Sequence, residues 1–170
     1  NRKFCPVMLI IPAIDLRGGK VVRLFQGKFN RQKVYSRDPV KVAKHWARQG
    51  AKFLHIVDLD GASSGVSKNL DVLKKIITQV GIPLEFGGGI RKIETIKKLL
   101  DWGVWRVVLG TKAVVDKAFL KKAFSKFNQG IIVTLDAKDN LLSIKGWKNT
   151  YKKMGVLTFA AMLKDMGFKQ

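Results

Sequence analysis

Apolar runs alternate with amphipathic stretches along this chain, and glycine marks many of the joins. Residues 9–14, 53–57, 83–86, 106–109 and 131–135 are apolar along most of their length. Runs of that kind suit strands of a parallel sheet covered on both faces. Between them the apolar period lengthens. Leu70, Leu73, Ile76 and Ile77 share one face of a helix predicted over 70–80, and Ile93, Ile96, Leu99 and Leu100 form the stripe of the next. Start signals agree with this spacing. Asp38 precedes Pro39 as an N-cap before proline at the first helical position, Asn69 can cap the helix at Leu70, and Asp116 can cap a helix through Phe127. A last helix is predicted over 157–166, ended by Gly167. Gly50, Gly81, Gly103 and Gly130 each follow a helical stretch, where a left-handed residue closes a helix at low cost.

Strand–helix alternation with short joins implies right-handed βαβ crossovers. Two architectures satisfy it, an open doubly wound sheet and a closed eight-stranded barrel. Segments 20–29 and 141–147 read as short strands or hairpins placed after the first and fifth strands. Asp15 ends the run 10–15 and Asp136 ends the run 131–136 in near-twin settings. Chemistry in parallel α/β folds gathers at the carboxyl ends of strands. The two carboxylates therefore suggest an acid/base pair, and the similar surroundings suggest a duplicated half-unit.

Composition narrows the class. The 170 residues are 46% hydrophobic, which suits one domain with a real core. A single cysteine, Cys5, excludes an internal disulfide and fits a reducing cytoplasmic setting. No apolar run approaches the roughly 20 residues of a membrane span, so no membrane partner is expected. Residues 1–7 read as a leader or upstream segment ahead of Met8, and residues 8–170 as part of one domain. The net charge of +21 raises the question of nucleic acid. The lysines, however, are spread over every predicted helix without interleaved aromatic blocks, which reads as solvated helix faces. A basic field of this kind also attracts a phosphorylated metabolite.

Gly87-Gly88-Gly89-Ile90-Arg91 follows the third strand, and Gly110-Thr111 follows the fourth. Backbone N–H groups without side chains can approach an anion closely, so adjacent glycine turns on neighbouring strands point to a phosphate site. The dinucleotide fingerprint is not met, because Lys92 stands where its third glycine belongs. His45 and His55 are the two histidines, too few with Cys5 to suggest a metal site. His55, inside the second strand, reads on burial habits as a core histidine; Arg23 reads as a rim charge, and Trp147 as a core cap or a stacking platform. Trp46, Trp102 and Trp105 read as outer-layer packing.

These residues carry a resemblance. Ile11 to Leu16, Val22-Arg23-Leu24 with Gln26-Gly27, Leu54 to Ala62, Gly87 to Arg91, Gly110-Thr111 and Lys145-Gly146-Trp147, taken in order, resemble the phosphoribosylformimino-5-aminoimidazole carboxamide ribotide isomerases of histidine biosynthesis. The resemblance runs from Met8 to about Gly167. It implies a (β/α)8 TIM barrel of two similar halves, with about five of eight strand–helix units in this chain and the other half-barrel expected beyond Gln170. It implies an Amadori rearrangement of an aminoaldose to an aminoketose, with a bisphosphorylated substrate and neither metal nor organic cofactor. By position Asp15 resembles the general base and Asp136 the general acid. Gly88, Gly89, Gly110 and Thr111 resemble one phosphate site, and Arg23, His55, Asp58 and Trp147 match substrate-contacting positions. On this reading the full-length protein is an isomerase and the 170 residues alone are inactive.

The chain departs from the family at Lys117, where proline is common, and at 137–140, where a glycine-containing turn is usual. The sister cyclase on the same barrel, which usually carries a cysteine near its first aspartate and a lysine soon after it, is the nearest rival, but Ala13 precedes Ile14-Asp15 here and Lys145-Gly146-Trp147 favours the isomerase. A bifunctional histidine and tryptophan isomerase is another, though Ile144-Lys145 stands where it usually has arginine. A non-catalytic half-barrel that binds phosphate belongs to a different class.

Overall fold

The computed structural model describes residues 8–144 and 149–168. The elements run in the order β1 (Ala13–Arg17), β2 (Lys20–Phe25), β3 (Lys28–Ser36), α1 (Pro39–Arg48), β4 (Leu54–Asp58), α2 (Leu59–Ser64), α3 (Leu70–Gln79), β5 (Leu84–Gly87), α4 (Ile93–Asp101), β6 (Arg106–Leu109), α5 (Thr111–Val115), α6 (Lys117–Phe127), β7 (Ile131–Val133), β8 (Ala137–Lys138), β9 (Leu141–Ile144), β10 (Asn149–Gly155) and α7 (Val156–Asp165). A short 3-10 turn, Asn128–Gly130, leads into β7. The main sheet has the order β3-β2-β1-β4-β5-β6-β7, and β8, β9 and β10 form a second, antiparallel sheet. Strands β1, β4, β5, β6 and β7 are parallel neighbours in chain order. Five parallel strands joined through helices are consistent with part of a (β/α)8 barrel.

Alternate strand residues face opposite sides of a sheet. Ile14, Leu16, Leu54, Ile56, Leu84, Phe86, Val107 and Leu109 form one set, nearly all without exposure, in one cluster with Leu73, Ile76, Ile96, Leu99, Leu120 and Phe159 from the helices. Burial of each such side chain stabilises by about 1.5–3 kcal/mol. The other set is arranged in rows by the pairing register. Ala13, His55, Glu85 and Arg106 lie side by side, and Asp15, Val57, Gly87, Val108 and Ile132 form the next row toward the carboxyl ends. This second face carries the polar groups.

The helix starts follow the predicted caps in two cases: Asp38 accepts from the Lys41 N–H at 3.0 Å and Asp116 from the Phe119 N–H at 2.9 Å. Asn69 stands before α3, but its side chain makes no cap bond. It donates instead to Asp58 and Asp60 and accepts from the Gly19 N–H. The first strand is also shifted. It covers 13–17 rather than 9–14, leaving Leu9 and Ile10 exposed. Its parallel partner β4 begins at Leu54, level with Pro12, whose carbonyl accepts the His55 N–H, so residues before Pro12 have no strand of that sheet beside them. Asp15 therefore stands inside its strand, whereas Asp136 lies beyond the end of β7. Gly50 and Gly103 take the left-handed closing conformation, but Gly81 and Gly130 do not; Asn128 takes positive φ ahead of Gly130. Among the described residues no helix is long and apolar enough to cross a membrane.

Candidate functional site

Loop geometry beneath the glycine turn decides where a ligand can sit. Gly88 and Gly89 have φ of +112° and +75°. A side chain at Gly88 would collide with the Asp58 carbonyl oxygen, and one at Gly89 would lie 2.7 Å from the Ser67 nitrogen. The turn is thus pressed against the loop that follows β4. Ser67 fixes it by donating its hydroxyl to the Gly88 carbonyl at 2.8 Å.

Asp58 organises that loop. Its side chain has no exposure. One carboxylate oxygen accepts from the Gly61 N–H at 2.8 Å and from Asn69 Nδ2 at 2.7 Å; the other accepts from the Lys68 and Asn69 N–H groups at 2.5 and 3.0 Å. Asp60 continues the network, accepting from the Gly18 N–H at 2.6 Å, and so ties the β1–β2 turn to the loop. Asp58, expected beside the substrate, has both oxygens committed to holding the loop.

A cavity of about 290 Å³ opens above the turn. His55, Gly88, Gly89, Gly110, Thr111 and Asp136 all line it. Four dispersed sequence signals thereby meet in one concavity. Arg91 of the same glycine-rich run lines it too, as do Lys112 and Thr134, a cation and a hydroxyl that sequence reasoning had not placed there. The Arg91 guanidinium fills the space that a Cβ on Gly65 would need, which sets Arg91 against the end of α2. Lys112 is also paired with Asp116 at 2.8 Å.

Asp15 and Arg23 line a neighbouring, wider concavity of about 680 Å³, together with Val22, Tyr35, His45 and Trp46. Trp147 lies outside the described residues. Burial raises the Asp15 carboxyl above its ordinary range, partly offset by the charges of His55 and Arg23. Burial alone raises that of Asp136. Each carboxyl is thus held toward its protonated form beside its own concavity, Asp136 at the smaller and Asp15 at the wider.

Glu85 and Arg106 complete the polar row. His55 Nδ1 lies 2.6 Å from one Glu85 oxygen, and Arg106 donates to the other at 2.9 Å. Burial opposes ionisation of Glu85, but the hydrogen bond and charge of His55, with Arg106 beside them, hold its carboxyl below the usual range. Sequence reasoning missed both residues; the available signal was a charged residue inside each of two otherwise apolar strands. Among the described residues no group of three His, Cys, Asp or Glu side chains could hold a metal ion.

A family model described as histidine biosynthesis protein matches residues 9–170. A relative from Alkaliphilus metalliredigens is 46% identical over 96% of this chain and 68% of its own length. One from Pelotomaculum thermopropionicum is 46% identical over 96% of this chain and 62% of its length, and one from Clostridium acetobutylicum is 44% identical over 94% and 66%. Each is named as a phosphoribosyl-bearing imidazole-4-carboxamide isomerase. The chain spans from 62% to 68% of the length of these relatives. With a family model matched over 162 of its residues, from 9 to 170, the chain belongs to the histidine biosynthesis protein family.

Proposed function

We propose that this chain carries the paired-aspartate part of an aldose–ketose isomerase site acting on a phosphoribosyl aminoimidazole carboxamide. The observation that carries the proposal is the shared cavity. It joins Asp136 and His55 to two glycine turns flanked by Arg91 and Lys112, with Asp15 one row above His55. The glycine N–H groups suit a phosphate, and the basic side chains add charge beside it.

The chemistry follows from two proton transfers. An acid protonates the ribose ring oxygen as the C1–O bond breaks, leaving a C1=N iminium on the opened sugar. A base then removes the proton from C2, and the electrons of that C–H bond form the C1=C2 bond of an enol-amine. A proton then adds to C1 while the C2 hydroxyl gives up its own, which forms the C2=O bond of the aminoketose and returns the proton spent on the ring oxygen, with no net change in composition. Asp136 is assigned the acid role and Asp15 the base role, and each well-placed group contributes about 10²–10⁴-fold. A carboxyl raised by burial suits both tasks, since it holds a proton longer as an acid and accepts one more readily as a base.

The test is genetic. The complete reading frame encoding this chain should rescue a strain that lacks the isomerase of histidine biosynthesis. Growth only when histidine is supplied would reject the assignment.

A further inference from the structure

The register places His55, Glu85 and Arg106 side by side on three adjacent strands. Glu85 and Arg106 are among the few buried charged groups of the described residues, and neither lines the cavity. Arg106 lies with its guanidinium 4.0 Å from the centre of the Trp105 ring, which stacks on Phe53 at 4.6 Å. That packing fixes the direction of the guanidinium, which donates to Glu85. The second Glu85 oxygen then meets His55 Nδ1. An ionised carboxylate can only accept, so Nδ1 must carry the proton.

We propose that Glu85 is a positioning residue: held by Arg106, it keeps a proton on His55 Nδ1, so that the ring in its neutral form presents Nε2 to the cavity as a hydrogen-bond acceptor for an O–H or N–H of the opened sugar. The phosphate then belongs to the glycine turns and the sugar to His55, because a phosphate oxygen has no proton to offer a neutral Nε2. This assignment of the ligand rests on the isomerase reading, whereas the state of the ring does not.

Glu85→Gln makes a sharp test. Arg106 is donor only, so it retains the glutamine oxygen and turns the amide NH2 toward His55. Nδ1 must then accept, and the proton moves to Nε2. Nitrogen-15 NMR of the imidazoles reads this directly at a pH where the ring is neutral, and His45→Gln separates the two histidines. The expected result is Nδ1–H in the unsubstituted chain and Nε2–H in E85Q. An Nε2–H form in the unsubstituted chain, or an unchanged Nδ1–H in E85Q, would overturn the proposal; if E85Q does not fold, the unsubstituted chain decides alone.

A kinetic cycle on the product of the complete reading frame tests action through His55. E85Q and His55→Gln should each lower kcat/KM by about tenfold, the worth of one hydrogen bond, and the double variant should lose no more than the worse single one. Multiplicative losses would sink the coupling. Absence of turnover in the unsubstituted protein would reject the isomerase reading while the NMR result still stands on the geometry.

Discussion

Asp58→Asn changes one atom type in the buried loop and has a large expected cost. Each Asp58 oxygen accepts two N–H donors. Whichever way the amide turns, its NH2 faces two N–H groups that lose their acceptor. A buried donor left without a partner costs about 1–3 kcal/mol. Two such donors place the loss at roughly 2–6 kcal/mol, a large part of the 5–15 kcal/mol that holds an ordinary domain together. The same loop presses on Gly88 and Gly89, so the glycine turn should loosen with it. Urea unfolding at neutral pH measures the first effect through the midpoint at unchanged slope. Phosphate titration of the folded fraction, followed by amide shifts at Gly88 and Gly89, measures the second. A variant within about 0.5 kcal/mol of the parent would refute the four-donor account and return Asp58 to the substrate-contacting role its sequence position suggests.

Further substitutions separate the remaining claims. Gly88→Ala should destabilise by about 1–3 kcal/mol and abolish phosphate binding, since it combines positive φ with a collision. Gly81→Ala, with open space and no positive φ, should leave the urea midpoint unchanged or raise it slightly. Asp136 has a folded-state pKa raised by burial, so its protonated form favours folding below the unfolded pKa near 3.9, and that contribution is lost as pH rises through the folded value. Asp136→Asn should therefore raise Tm at pH 7 by a few degrees, about 2–4 °C per kcal/mol gained, with the gain vanishing below about pH 3 in a thermal scan series. Lys97→Ala breaks an exposed ion pair with Asp101 and should shift stability by less than about 0.5 kcal/mol in the same urea assay.

The parallel strands were legible because each apolar run is long enough for one strand and is bounded by turn residues. What the sequence could not place was register. The run 9–14 is apolar from end to end, yet only its last residues find a partner in β4, so the strand begins at Ala13. Helix α2 escaped notice because Leu-Asp-Gly-Ala-Ser-Ser has no apolar period; it exists because Asp58 caps it and Gly65 closes it. Helix α5 is shorter still. At the site, glycine turns announced themselves through composition, and His55, Gly88, Gly89, Gly110, Thr111 and Asp136 do share one cavity. An aspartate at a strand end suits a ligand contact and a loop anchor equally, and the four donors that anchor Asp58 to its loop emerge only with the fold. Glu85 and Arg106 were hidden for a related reason. A charged residue within an apolar strand signals a buried partner, but the partner lies on another strand and emerges only with the pairing.

The central claim is that Asp15 and Asp136 move protons for one sugar rearrangement. Its most direct test is turnover of the bisphosphorylated aminoaldose, followed by separation of aldose from ketose, with the product of the complete reading frame and its Asp15→Asn and Asp136→Asn variants. The account predicts measurable conversion by the unsubstituted protein and losses in kcat of about 10²-fold or more in each variant, with folding intact by circular dichroism. Conversion at near-parent rates in both variants would contradict it.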